Sequence, residues 1–312
     1  MNLGFLNRKG GNSGTEGTQV LQKNAPTVLA GNASSQTKQA IFFPRQKSGE
    51  RMPLAFSKSY PLVGRIATTY AESDAVALIF DQTGSMEKDP KVFIRELPDL
   101  MSHAEGLGRY SRLYEVAFGA IGDARNNEQY PVQLCGFTSN IVLAKKSLES
   151  LYLEGLGGSN GGESYDLGIY GLASRIDLAH GQKGFAVILG DEPYFRDIRP
   201  KDVQKYFGEN AKFATISESV AALRQKGIDV YALLRDSSVT SVWANLLGSG
   251  FVAMLDSPEK VVQAIVGIMA ARVGRKNEFI GCLSSGKNSA ISGSVAKALG
   301  ELEITPKALI GN

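Results

Sequence analysis

Residues 77–86 read ALIFDQTGSM. An apolar run ends abruptly in Asp81, and hydroxyls follow at Thr83 and Ser85. With Ala75 and Val76 the run becomes AVALIF (75–80), continuous and partly β-branched, which predicts a strand buried on both faces. An acid closing such a strand has three ordinary explanations: a nucleophile, a metal ligand, or part of a helix cap. The rest of the chain has to choose between them.

Outward from this strand the pattern alternates. KVFIRELPDLMSHAEGL (91–107) has helical spacing with a possible kink at Pro98. LYEVAFGAIGDA (113–124) and PVQLCGF (131–137) read as strands close enough to pair as an antiparallel hairpin. IVLAKKSLESLYL and ESYDLGIYGLASRIDLA read as helices, and GFAVILGDE (184–192) is a second central strand running into acids. SESVAALRQKG is a helix stopped by Gly227, DVYALL (229–234) a strand, SVTSVWANLLG a helix and FVAML (251–255) a strand. SPEKVVQAIVGIMAARVG (257–274) is a last helix, with Ser257 at the N-cap and Pro258 at its first position. This order predicts an α/β fold: a doubly wound, mostly parallel six-stranded sheet with one antiparallel edge strand and helices on both faces. Aromatic residues at helical spacing, Tyr165, Tyr170 and Trp243, are expected in the core.

Composition bounds the function. The chain has 312 residues, 43% hydrophobic and 21% charged, ordinary for a globular protein, and a net charge of +3 that does not by itself point to nucleic acid. The charge is uneven: residues 1–52 hold seven Lys/Arg against two Glu, and the segment from Arg272 holds six basic against three acidic residues. Residues 1–52 are expected to be a flexible basic arm, 53–273 the folded domain, and 274–312 a flexible tail with at most one short helix near 294–303. Two distant cysteines and two histidines, without a CxxC, argue against a disulfide framework or structural zinc and for a reducing compartment. MNLGFLNRKGGNSG lacks a long apolar stretch, and no run is long enough to span a bilayer, so a cytoplasmic location is expected.

In a parallel sheet of this kind, ligands sit beyond the carboxyl ends of the strands. Three loops should meet there: Asp81 to Ser85, the glycine-rich GLGGSNGGES (155–164), and GDEP (190–193). They offer carboxylates and hydroxyls and no nearby histidine or thiolate, a donor set suited to Mg²⁺, Mn²⁺ or Ca²⁺. In an extended loop Asp81, Thr83 and Ser85 can face one ion. Capping by Thr83 or Ser85 is compatible with this, but does not explain why two strands end in aspartate beside a glycine loop.

These residues resemble the von Willebrand factor A (vWA) domain with its metal-ion-dependent adhesion site (MIDAS), over about residues 72–272. That family carries D-x-S-x-S after the first strand, a threonine in a second loop and an aspartate after the fourth strand; here D-Q-T-G-S has Thr83 in place of the first serine. The D-x-T-G-S-M form is similar to an intracellular branch, whose G-D-x-R/Y and later acidic motifs compare with Gly122-Asp123-Ala124-Arg125 and Gly190-Asp191-Glu192-Pro193. The resemblance implies Mg²⁺ (or Mn²⁺) held by Asp81, Thr83, Ser85 and Asp191, with Ser159 the positional match for the second-loop threonine. It implies a non-enzymatic module whose protein partner supplies an acidic side chain to the metal, an AAA+ ATPase being one such partner. The basic terminal arms, read from composition, are available to tie subunits into a homo-oligomer. Asp123 and Arg125 either line the same edge or form a surface ion pair, and Tyr194 and Phe195 either present an aromatic contact to a partner or fold back over the sheet end.

Three other readings are open to the same residues. Asp81 followed by QTGS is also similar to the nucleophile loop of haloacid-dehalogenase-like phosphohydrolases, but Thr83 stands where their second acid belongs. GGSNGGES has the spacing of a phosphate-binding loop with Glu163 in the lysine position, which puts a negative charge against phosphates. A vWA domain that serves as a metal-free scaffold would need no ligand set.

Overall fold

The computed structural model describes residues 66–68, 73–83, 86, 89, 91–93, 95–96, 114–126, 128, 130–151 and 162–306. The chain divides by compactness after Ala40, and every described residue lies in the second unit, Ile41–Asn312. The proposed arm at 1–52, the part of the first helix beyond residue 96, and residues 307–312 fall outside the described residues.

The six strands of the main sheet are β1 (Asp74–Asp81), β2 (Tyr114–Ile121), β3 (Val132–Leu134), β4 (Lys183–Gly190), β5 (Ile228–Leu234) and β6 (Val252–Met254). Their order across the sheet is β3-β2-β1-β4-β5-β6, with only the β2–β3 pairing antiparallel. The order reverses at β1, so the connections leave β1 and β4 in opposite directions, and it is beyond the carboxyl ends at such a reversal that open α/β sheets place their ligands. A separate parallel pair, Ile66–Ala67 with Ile176–Asp177, lies outside this sheet.

The period of two along β1 builds both layers of the core. Val76, Leu78 and Phe80 face one side and Ala77 and Ile79 the other. Besides the helical residues 89, 91–93 and 95–96, the described residues form the helices α1 (Ile141–Ser150), α2 (Tyr165–Arg175), α3 (Pro200–Phe207), α4 (Ile216–Gln225), α5 (Thr240–Leu247), α6 (Pro258–Arg272), α7 (Lys276–Ser285) and α8 (Ser292–Glu301). Those of α2 to α5 cover the Ala77 face, and α1 with α6 to α8 the Phe80 face. Thr215 and Ser257 cap α4 and α6 through their hydroxyls, as acceptors from Glu218 N and Lys260 N.

Two features depart from the sequence reading. The helix α3 was not expected, although Pro200 at its start and Gly208 in the left-handed conformation at its end (φ 66°) bound it. The segment after Gly274 is no flexible arm over 276–302: besides α8, close to the helix expected near 294–303, it forms α7. Phe279 and Leu283 from α7, and Val295, Ala298, Leu299 and Leu302 from or just after α8, repeat at helical spacing and are buried in the core. A side chain at Gly267 on α6 would collide with Leu299, so the Leu299 side chain packs directly onto the α6 backbone. The Lys276 ammonium donates to Leu299 O at 2.6 Å, and the Tyr231 hydroxyl donates to Glu303 O at 3.0 Å, tying the end of this layer to β5.

The amino edge of the sheet is closed electrostatically. Arg272, at the end of α6, donates through Nε to Asp74 (2.7 Å) and through Nη1 to Asp229 (2.9 Å), with Asp74 and Arg272 both buried. Removing one partner of a buried pair strips the other of its counter-charge. Arg272→Ala is therefore expected to lower unfolding stability by about 3–5 kcal/mol, read as a fall in the urea midpoint; an unchanged midpoint would show that the pair does not hold this edge.

Candidate metal site at the carboxyl edge

Asp81 leaves the sheet at the end of β1, fully buried at 0% exposure. Phe80 pairs with Leu189 on β4, so Asp81 and Gly190 emerge side by side with Asp191 one residue on. The Asp81 carboxylate turns the chain back on itself: Oδ1 accepts the Thr83 amide at 2.8 Å, an Asx-type turn. Its Oδ2 accepts the Tyr165 hydroxyl at 2.6 Å. Gln82 anchors the same loop, its amide donating to Ile121 O and its side chain bridging Tyr130 O and Gln133.

Tyr165 is the first residue of α2, and its hydroxyl reaches Asp81 by crossing directly over Gly190, where any side chain would collide with it. Its ring packs edge-on against Trp243 at 5.1 Å, and the Trp243 indole donates to Glu192 O at 3.1 Å. Tyr165, Tyr170 and Trp243 are all in the core, as expected. The contact of Tyr165 with Asp81 was not expected: the partners are 84 residues apart, and nothing in either segment's spacing marks it.

Acids accumulate around this point. Asp191 is half-buried, and its Oδ1 has no hydrogen-bond partner among the described residues. Asp123 and Glu163 are buried, and each has one carboxylate oxygen in the same condition. Glu128 lies beside them, accepting the Asp123 amide at 2.6 Å. Burial pushes the Asp81 carboxyl up to about 6; its hydrogen bonds to Thr83 and Tyr165 oppose the shift and the charge of Asp191 adds to it. Burial, followed by the charges of Asp81, Asp123, Glu128 and Glu192, pushes Glu163 up to about 9. Burial also pushes Asp166 up to about 7, against the pull of Arg125.

The structure brings Asp81, Thr83 and Asp191 to one edge; Ser85 and Ser159 lie outside the described residues. Asp123 and Arg125 are not a surface ion pair. Asp123 is fully buried and accepts the Arg125 amide at 2.8 Å, while the Arg125 guanidinium lies 3.4 Å from the Phe195 ring centroid. Tyr194 and Phe195 fold back rather than standing out: Tyr194 packs on Trp243 at 5.2 Å, and Phe195 lies under Arg125. The backbone at Glu163 bridges to Tyr194, and Ser164 accepts the Ala124 amide at 2.9 Å, so the loops after β2 and β4 meet the start of α2. Glu163, Glu128 and Asp166 belong to this acidic edge and were not singled out as site residues from sequence; Glu163 had entered only as the residue that spoils a phosphate loop.

The donor set fits a hard divalent cation, being oxygen-only with a buried unpartnered oxygen on Asp191. Among the described residues no group of three or more His, Cys, Asp or Glu is placed to hold a metal. A cation here would therefore depend on hydroxyl and water ligands beside Asp81 and Asp191.

No protein-family profile matches the chain, and no curated protein does. Among solved structures, it is similar to the pilus adhesin SpaC from Lactobacillus rhamnosus GG in its open conformation, at 14% identity and a TM-score of 0.45, over 70% of this chain and 31% of that one. It is similar to proximal thread matrix protein 1 from the mussel byssus, with a zinc-occupied MIDAS motif, at 12% identity and a TM-score of 0.45, over 64% and 46%. It is also similar to the conserved hypothetical protein BatB from Bacteroides thetaiotaomicron, at 16% identity and a TM-score of 0.40, over 67% and 100%. The chain thus spans less than half the length of the first two. Likenesses this distant carry nothing about site or activity, and the architecture rests on the sheet order and register themselves. No helix among the described residues is long and apolar enough to cross a membrane.

A carboxyl group whose pKa is raised on folding binds its proton more tightly in the folded chain, so it contributes most stability at low pH. That contribution falls as pH rises through the unfolded value towards the folded one. For Asp81 the window runs from 3.8 to about 6, and for Glu163 from 4.5 to about 9. In EDTA, the contribution of these two groups is expected to decline from mildly acidic to alkaline pH. Comparing the pH slope of the urea midpoint in wild type and Glu163→Gln checks this; the slope above pH 6 should flatten in the variant.

Proposed function

We propose that this chain is a metal-dependent protein-binding module of the vWA type rather than an enzyme. Mg²⁺ (or Mn²⁺) would be held at the carboxyl edge by Asp81, Thr83 and Asp191, with Ser85 and Ser159 completing the set that the sequence motif implies. An acidic side chain from a protein partner fills the remaining position. The observation that carries this reading is the pairing of Asp81 and Asp191 on adjacent strand ends, with Asp191 Oδ1 buried and unpartnered among the described residues. A cation relieves the repulsion between these carboxylates in a place where water does not screen it.

Binding is favoured over nucleophilic chemistry by the state of Asp81. Each of its oxygens already accepts a hydrogen bond and the side chain is fully buried, which suits a fixed ligand better than an attacking group. A reducing, cytoplasmic setting, an AAA+ ATPase as partner, and assembly through the terminal arms belong to the same proposal; they rest on the cysteine count, the motif resemblance and the basic termini.

Calorimetric titration of Mg²⁺ and Mn²⁺ into wild type, Asp191→Ala and Asp81→Asn tests the site. Binding heat is expected in the wild type and its loss in both variants, with circular dichroism confirming that each is folded. Saturating cation at about a hundred times Kd should add about 2.7 kcal/mol to wild-type stability. Equal heats in all three chains sink the site, and Asp81-dependent hydrolysis of p-nitrophenyl phosphate would overturn the non-enzymatic reading.

A further inference from the structure

Arg125 is the guanidinium beside this acidic edge, and it is immobilised without being used up. It sits on the short turn after β2, with its Cζ 3.4 Å from the Phe195 ring centroid. One nitrogen, Nη2, donates to Asp197 O at 3.2 Å and stands 3.9 Å from the buried Asp166 carboxylate. Its Nε and Nη1 have no acceptor among the described residues, and its side chain is 27% exposed. Phe195 in turn packs against Gly162, at the end of the glycine-rich loop, where a side chain would crowd the ring. The fork is thus fixed where the loops after β2 and β4 meet the glycine loop. Arg196, next along the chain, is exposed, with its charge close enough to Tyr194 to act on the phenol.

We propose that Arg125 is a carboxylate receptor, and that the partner of this module is an acidic segment carrying two carboxylates, one for the metal and a second for the Arg125 fork. The proposal rests on the reading of the edge as a metal-dependent binding site and adds the charge pattern of what binds there. Charge complementarity supports it. The edge itself is acidic and repels an acidic segment until a cation is present, so the metal gates entry and the guanidinium selects among the acids that enter. A guanidinium held against an aromatic ring presents its remaining N–H groups from a restricted position, and less side-chain freedom is lost when a carboxylate docks. Arg196 extends the positive border on the solvent side.

The test uses the full chain with saturating Mg²⁺ and fluorescein-labelled synthetic peptides. One peptide carries a single glutamate in a glycine background; the others carry two glutamates separated by short glycine spacers of different length. Fluorescence anisotropy is expected to show the best two-glutamate peptide binding about tenfold tighter than the single-glutamate one, as one charge-assisted pair implies. Arg125→Ala should bring that ratio close to one, and Arg125→Lys should restore part of it. Lys201→Ala removes an exposed charge on α3 and should leave the ratio as it was. Equal affinities in the wild type, a ratio that survives Arg125→Ala, or a ratio erased as fully by Lys201→Ala would each overturn the proposal. If calorimetry shows Mg²⁺ binding yet no peptide binds, the receptor falls and the metal site stands. A two-glutamate preference that persists in EDTA and disappears in Arg125→Ala supports the receptor and counts against the metal.

Discussion

At Asp81 a carboxylate sits at the end of a strand, buried, and the Thr83 amide and the Tyr165 hydroxyl hold it there. Much of the carboxyl edge is arranged around those bonds. The first bends the loop after β1 back across the strand end. The second fixes the start of α2, and with it Glu163 and Ser164, against the same point. Tyr165 passes its position on to Trp243, which anchors the loop after β4 through Glu192. A burial cost at one acid is thus met by elements from three parts of the chain.

The two ends of the sheet handle buried acids in opposite ways. At the amino edge Asp74 and Asp229 share the Arg272 guanidinium, and charge is balanced within hydrogen-bond distance. At the carboxyl edge Asp81, Asp123, Glu128 and Glu163 are buried together, and the nearby guanidinium, Arg125, faces Phe195, Asp197 O and Asp166 instead of these four. Burial of unbalanced charge is costly in a low-dielectric interior. The first arrangement suits a closed structural joint; the second suits a place whose balance is supplied from outside.

The sheet was readable because its strands are apolar on both faces: AVALIF and GFAVILG carry their own signal, and the hairpin of β2 with β3 follows from the short interval between them. The alternation of strand and helix then leaves one economical topology. What was not readable depends on partners distant in sequence. The burial of α7 and α8 is decided by Gly267 on α6, which admits Leu299, and the polar residues around Phe279 and Val295 disguised them as a tail. At the carboxyl edge, strand-end acids stand out locally, so the adjacency of Asp81 and Asp191 could be read in advance. Tyr165 has the spacing of any core aromatic, and Glu163 acquires its meaning only from neighbours that folding brings to it.

Gly190 carries a consequence for how this sequence can drift. It is the space through which the Tyr165 hydroxyl passes, so the two residues cannot vary independently. A chain with even alanine at 190 would have to give up the phenol at 165, and Asp81 would then need another donor or would spend more of its time protonated. The glycine, the tyrosine and the aspartate therefore form one packing unit, scattered over three elements of the chain, in which a change at one position has to be answered at the others.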